Sequence, residues 1–282
     1  MKSPAVSSII VCGIVRDAGK GLKNNIPVID ELCSYFKDYR IYVYENDSKD
    51  DTKELLMKWH QVDPERIHVS LNSFNARKPI PTGKEVSVNP FFSRARITKM
   101  ADLRNNYLNY IEAREWTADY LMVFDFDIAK IECKSILSSF HSENDWDVVT
   151  AFGYSTSPKL TKRYHDSYAL VEYGDDEPQT EDKIKELSYK YGRLKANDNW
   201  IRVFSAFGGL AIYKYELVKG LRYGVIDNND RRVEVRCEHY SLSKQMAEKQ
   251  DIYVYINPGM KLKYQNLTPR IIIDSIKRSF CG

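Results

Sequence analysis

The sequence predicts an α/β fold, a mostly parallel sheet flanked by helices. Two observations carry the prediction. Apolar runs of strand length alternate with segments of helical spacing through the first half of the chain. Polar clusters, Glu45-Asn46-Asp47-Ser48 and Asp125-Phe126-Asp127, then follow the carboxyl ends of two of those runs. Sheets of this kind bind ligands at strand carboxyl ends.

The elements follow in order. Residues 8–15 read as a buried strand, and Ile26, Ile29, Leu32, Cys33 and Phe36 keep helical spacing after it. A second strand covers 40–44. Asp50-Asp51-Thr52 opens a helix through Trp59, with acids at its positive end. A third strand covers 66–71. The stretch 72–93, with Pro79, Pro81, Gly83 and Pro90, is too long for a plain connector and reads as functional or mobile. A helix over 94–114 leads into the strand 120–124. The second half is less regular: a strand at 146–152, then a polar, tyrosine-rich stretch over 154–200 with a helix near 181–191. An apolar segment over 203–213 encloses Gly208-Gly209, and a turn covers 227–230. A helix at 238–249 and a strand at 252–256, ending at Asn257-Pro258-Gly259, complete the series. Thr268-Pro269 has the signature of a helix start in the tail. That tail, with Ile271, Ile272, Ile273 and Ile276 beside Lys277 and Arg278, either packs on its own domain or rests on a membrane surface.

Composition narrows the function. With 42 basic and 39 acidic residues in 282, the net charge of +3 argues against a nucleic-acid binder. Twenty tyrosines suit sugar rings, but they suit cores and interfaces equally. Five cysteines, an odd number without a C-x-x-C pair, argue against a zinc site or disulfide framework and for a reducing, cytoplasmic setting. The run from Ile9 to Val15 is interrupted by Gly13 and meets Arg16-Asp17 at once, which fits a strand better than a signal peptide. No stretch is long enough to span a bilayer.

The strongest chemical signal is Tyr120-Leu121-Met122-Val123-Phe124 running into Asp125-Phe126-Asp127. Alternation along a strand points both aspartates one way and Phe126 the other. Two carboxylates held together are costly without a cation, and hard divalent ions share such ligands with substrate phosphates. The expected cofactor is therefore Mn²⁺ or Mg²⁺ on Asp125 and Asp127. On the preceding helix Arg104 falls in the apolar stripe of Ile97, Met100, Ala101, Leu108 and Ile111. A guanidinium there either binds a carboxylate or phosphate or snorkels to the helix edge. Arg94, Arg96, Arg77 and Lys78 are further candidates for diphosphate contact. The cluster at 45–48 reads either as a nucleoside site or as a capped turn.

Together, ENDSKDDT over 45–52 and FDFD over 124–127 resemble the acidic segment and DxD motif of GT-A glycosyltransferases, Rossmann-like enzymes. The segment YENDS is similar to capsule-associated mannosyltransferases and related bacterial sequences. The resemblance implies that Glu45, Asn46 and Ser48, with Arg104 and Asp125, bind a UDP- or GDP-sugar donor. It assigns the metal to Asp127 and Asp125, the acceptor side to Gly208 and Gly209, and catalysis to Glu238 as base with His239 beside it. Asp47 and Asp51 stand where the family pattern has glycine. The halves would then be a nucleotide-sugar half at 1–152 and an acceptor and catalytic half at 153–260, followed by a tail helix at 261–282. The absent Q-x-x-R-W signature implies transfer of a single sugar, to a glycan or lipid-linked hydroxyl. Two rivals stand beside this. One is a sugar-phosphate nucleotidyltransferase, with residues 13–21 as a faint phosphate loop. The other is a non-catalytic carbohydrate-binding protein on the same scaffold.

Overall fold

The computed structural model describes residues 2–74, 88–157 and 160–265. Strand β1 (Ser8–Val15) is followed by helix α1 (Gly19–Ser34), β2 (Asp38–Asn46), α2 (Thr52–Val62) and β3 (Ile67–Asn72). After helix α3 (Arg94–Ala113) comes β4 (Tyr120–Phe124). Beyond the short α4 (Cys133–Leu137) lie β5 (Val148–Thr156), β6 (Lys162–Tyr164), β7 (Val171–Glu172) and α5 (Glu181–Tyr191). Then follow β8 (Ile201–Ser205), β9 (Leu210–Lys214), α6 (Tyr215–Val218), α7 (Glu238–Ala247) and β10 (Val254–Gln265).

The strands form one sheet in the order β3-β2-β1-β4-β9-β5-β10-β8-β7, with β6 paired to β5. The block β3-β2-β1-β4 is parallel throughout. Strand β9 enters antiparallel between β4 and β5, and β10 runs parallel to β5.

The period of two along β1 divides the core. Ile9 and Val11 join a cluster with Leu22, Ile29 and Leu56 from α1 and α2. Ile10 and Cys12 join another with Ile97, Leu108 and Leu242 from α3 and α7. Both faces are thus covered, which explains why β1 is apolar along its whole length.

Most elements lie where the sequence places them, and three differ. The apolar segment 203–213 is two strands, β8 and β9, separated in the sheet by β5 and β10. Gly208 and Gly209, at φ +65° and +91°, make the crossing. The last strand runs on to Gln265, so residues 261–265 are strand and not part of a tail helix. Met100 is only half-buried and faces the cavity described below, not the core. Residues 266–282, including the candidate membrane-resting segment, lie outside the described residues, as do Arg77 and Lys78. Among the described residues no helix is long and apolar enough to cross a membrane.

Candidate active site

The carboxyl ends of β1, β2 and β4 open on a cavity of about 960 Å³. Its floor is the Asp125-Phe126-Asp127 turn. Phe126 is fully buried between the sheet and α2, edge-on to Trp59 with ring centroids 6.1 Å apart. Asp125 and Asp127 line the cavity while Phe126 is buried, but the strand ends at Phe124, so a turn and not strand alternation sets these directions.

The backbone of this turn is held from three sides. Asn25, buried in α1, donates from Nδ2 to the carbonyls of Phe126 (3.0 Å) and Ile128 (2.9 Å). The Asp125 N–H donates to the Gly209 carbonyl at 3.0 Å. The Ala129 and Lys130 N–H groups donate to β10 carbonyls. Close approach also explains two glycines: a Cβ at Gly21 would lie 2.7 Å from the Phe126 carbonyl oxygen, and one at Gly13 2.1 Å from that of Phe124. Within residues 13–21, these two glycines are thus packed against β4 and its aspartate turn, while Ile14, Val15 and Arg16 line the cavity.

Arg104 is the buried charge of the site, 5% exposed. Its Nε donates to Glu238 Oε1 at 2.9 Å, and its Nη2 lies 3.8 Å from Asp125 Oδ1. Its guanidinium sits over the Phe207 ring, 4.9 Å from the centroid. The stripe position of Arg104 is thus a carboxylate site and not a snorkel. Burial pushes the Asp125 carboxyl well up against the pull of Arg104, and the negative charges of Asp127, Asp166 and Glu238 push it the same way. This crowd of oxygen donors fits a hard divalent cation. Among the described residues no group of three or more His, Cys, Asp or Glu side chains could hold a metal. The donor set therefore fits an ion shared between Asp125, Asp127 and a ligand's own oxygens.

Glu238 lines the cavity, whereas His239 does not. Glu238, at the start of α7, is 4% exposed. Burial works to raise its pKa, but Arg104 and His239 outweigh it and hold it down to about 2. Its carboxylate accepts the Arg104 Nε–H and so anchors the guanidinium. His239 stacks on Phe207 with ring centroids 4.0 Å apart and lies behind the cavity wall, 2% exposed. Gly208 and Gly209 likewise serve the backbone crossing, where a Cβ on Gly208 would sit 2.3 Å from the Ala151 carbonyl oxygen.

The segment 45–52 works mostly as a tie. Glu45 is fully buried and accepts the Ser48 N–H at 2.7 Å, so it shapes the turn instead of facing the cavity. Ser48 Oγ accepts the Asp17 N–H (2.9 Å), Thr52 Oγ1 the Ala18 N–H (2.7 Å) and Asp50 the Gly19 N–H (2.9 Å). These bonds fasten the loop after β1 to the loop after β2. Asn46 does line the cavity, beside Arg16. Asp47 adopts φ +58°, in the left-handed region that favours glycine.

Arg96 and Lys99 reach the cavity, whereas Arg94 pairs with Asp227 on the surface. Sequence reading missed Tyr264, His165 and Asp166, which line the same space. Tyr264 donates from its hydroxyl to Asp127 at 3.4 Å and stacks on His165, ring centroids 3.3 Å apart. The polar stretch around 165–166 and the strand end at 264 give no local signal of this contact, because it spans long sequence distances.

The family described as Cryptococcal mannosyltransferase 1 matches residues 11–244 of the chain. No curated protein matches the sequence. Among solved structures, the fold is similar to the mannosyltransferase PcManGT from Pyrobaculum calidifontis in complex with GDP-Man and Mn²⁺. The two share 12% identity at a TM-score of 0.51, covering 99% of this chain and 63% of that one. The S. aureus TarS fragment 1-349 matches at 11% identity and TM-score 0.48, with 96% and 64% covered. Glucosyl-3-phosphoglycerate synthase from Mycobacterium tuberculosis matches at 12% and 0.48, with 96% and 74% covered. The chain spans a little over three-fifths of the first two structures, 63% and 64%.

Proposed function

The chain belongs to the family described as Cryptococcal mannosyltransferase 1 and has the GT-A fold; on that premise we propose that it is a metal-dependent glycosyltransferase. It moves one sugar from a nucleoside-diphosphate donor to a hydroxyl of a glycan or lipid-linked acceptor. The observation that carries this reading is the pair Asp125 and Asp127, held at the end of β4 in one cavity with Asn46, Arg16 and Arg104. The family name favours mannose as the transferred sugar.

Asn46 and Arg16 take the nucleoside end of the donor. Asp125 and Asp127 would hold Mn²⁺ or Mg²⁺, which when bound would supply Lewis-acid stabilisation of negative charge on a diphosphate. Arg104 fixes Asp125 in place and offsets part of the negative charge around it, with Glu238 as its anchor. Arg96 and Lys99 add positive charge on the opposite wall. The acceptor side is formed by residues 165–168 and Phe207, within the half at 153–260.

Replacing Asp127 by Ala tests the reading. Transfer from GDP-mannose or a UDP-sugar should be abolished, and the melting temperature of the apoprotein should change little because Asp127 is exposed. Full activity of that variant, or of the native protein in EDTA, would rule the mechanism out.

A further inference from the structure

Transfer to a hydroxyl needs a group to receive its proton, and Glu238 is committed to Arg104. One other carboxylate of the cavity stands apart from the metal pair. Asp166 follows β6 and lines the cavity with Asp125, Asp127, Arg104 and Arg96. Its backbone is at φ +62°, a conformation that side-chain-bearing residues adopt sparingly and that clusters at functional sites. That conformation is fixed on both sides: the His165 N–H donates to the Gly153 carbonyl (2.8 Å), and the Ala169 N–H to the Asp166 carbonyl (3.0 Å). Among the described residues the Ala169 backbone N–H reaches its carboxylate, and no side-chain hydrogen bond or ion pair engages it. A carboxylate has about four acceptor sites, so the group is held in the cavity wall with capacity left for a ligand.

Resting on the transferase reading above, we propose that Asp166 is the catalytic base that receives the acceptor hydroxyl's proton. As the acceptor oxygen bonds to the anomeric carbon, the bond from that carbon to the diphosphate oxygen breaks. Its electron pair leaves with the diphosphate, and the proton passes from the hydroxyl to an Asp166 oxygen. Burial and the nearby charge of Glu238 push the Asp166 carboxyl up to about 7, against Arg104 and Arg96, a range suited to accepting a proton near neutrality.

The test uses the full chain with Mn²⁺ and GDP-mannose or UDP-N-acetylglucosamine, and methyl α-mannoside as the acceptor probe. Asp166→Asn should keep the donor-induced thermal shift. It should lose roughly a hundredfold or more in kcat, both for transfer and for donor hydrolysis without acceptor. Asp166→Glu should recover part of the rate. A kcat for Asp166→Asn within threefold of the native value would mean that the departing diphosphate takes the proton, and would overturn the proposal. Loss of the donor-induced shift in Asp166→Asn would assign the residue to donor binding and overturn it equally. A native protein that neither binds nor consumes any donor would instead sink the transferase reading itself, and this assignment with it.

Discussion

The two ends of the cavity are built by different physics. At the nucleoside end, Ser48, Asp50 and Thr52 each accept a backbone N–H from the loop after β1. These bonds join residues 31 to 34 apart and range from exposed to buried, each contributing on the order of 1 kcal/mol. At the other end one buried guanidinium stands between Asp125 and Glu238, with aromatic rings closing over it. A buried pair contributes little against an apolar replacement of both partners, yet removing one partner costs several kcal/mol. The first end should degrade gradually under mutation. The second should fail at a single change.

The largest effect is expected from Arg104→Leu. It leaves Glu238 buried without its partner and should destabilise the fold by about 3–5 kcal/mol. Denaturant unfolding would show this as a lowered midpoint at unchanged slope. The double variant Arg104→Leu with Glu238→Leu should regain much of that stability while transfer stays lost. Recovery of activity in the double variant would break the contrast, because it would make the pair purely structural.

Next is Asn25→Leu. It removes two donors from the carbonyls of Phe126 and Ile128 and should cost about 1–3 kcal/mol. The expected signature beyond stability is weaker Mn²⁺ binding by calorimetry, since the turn carrying Asp127 loses its support. Unaltered metal affinity would limit Asn25 to a packing role.

The smallest effect belongs to Asp50. Burial works to raise its carboxyl, but its hydrogen bonds to Thr52 and Gly19 outweigh burial and hold its pKa below the usual value. The folded state therefore binds fewer protons than the unfolded state in that range, and stability rises with pH there. The contribution is present above the ordinary aspartate value of about 3.9 and is lost as pH falls through the depressed folded value. Unfolding curves of the native protein and Asp50→Asn should differ at pH 7 and converge in acid. Curves that stay parallel down to pH 2 would remove the charge from the argument.

The same contrast decides what could be read from sequence. The parallel block was legible because each strand and helix there announces itself within a dozen residues, and the aspartate pair sits at the end of an apolar run. The antiparallel insertion of β9 was not legible. Residues 203–213 are apolar apart from Ser205 and Gly208-Gly209, and that glycine pair reads as a bulge within one strand as readily as a break between two. Glu45 and Ser48 fit a turn or a ligand site equally in sequence, because turn chemistry and ligand chemistry use the same residue types; the structure adds their turn bonds. Asn25 did leave a trace: with Gly21 it puts a small and a polar residue, four apart, on the otherwise apolar face of Leu22 and Ile29. Asp166 left none, since its position depends on β5, β6 and α7 meeting around one space.

The late strand β10 has a consequence for synthesis. Tyr264 reaches Asp127 across 137 residues of chain, and Lys263 exchanges backbone bonds with Lys130. A nascent polypeptide can assemble its nucleoside loops from the first half as that half leaves the ribosome. The turn bearing Asp127 gains its third support only after residue 264 has emerged. Products cut short before that point should be able to fold their early block yet hold the turn of Asp125 and Asp127 loosely, so the cavity floor is completed last in the life of the chain.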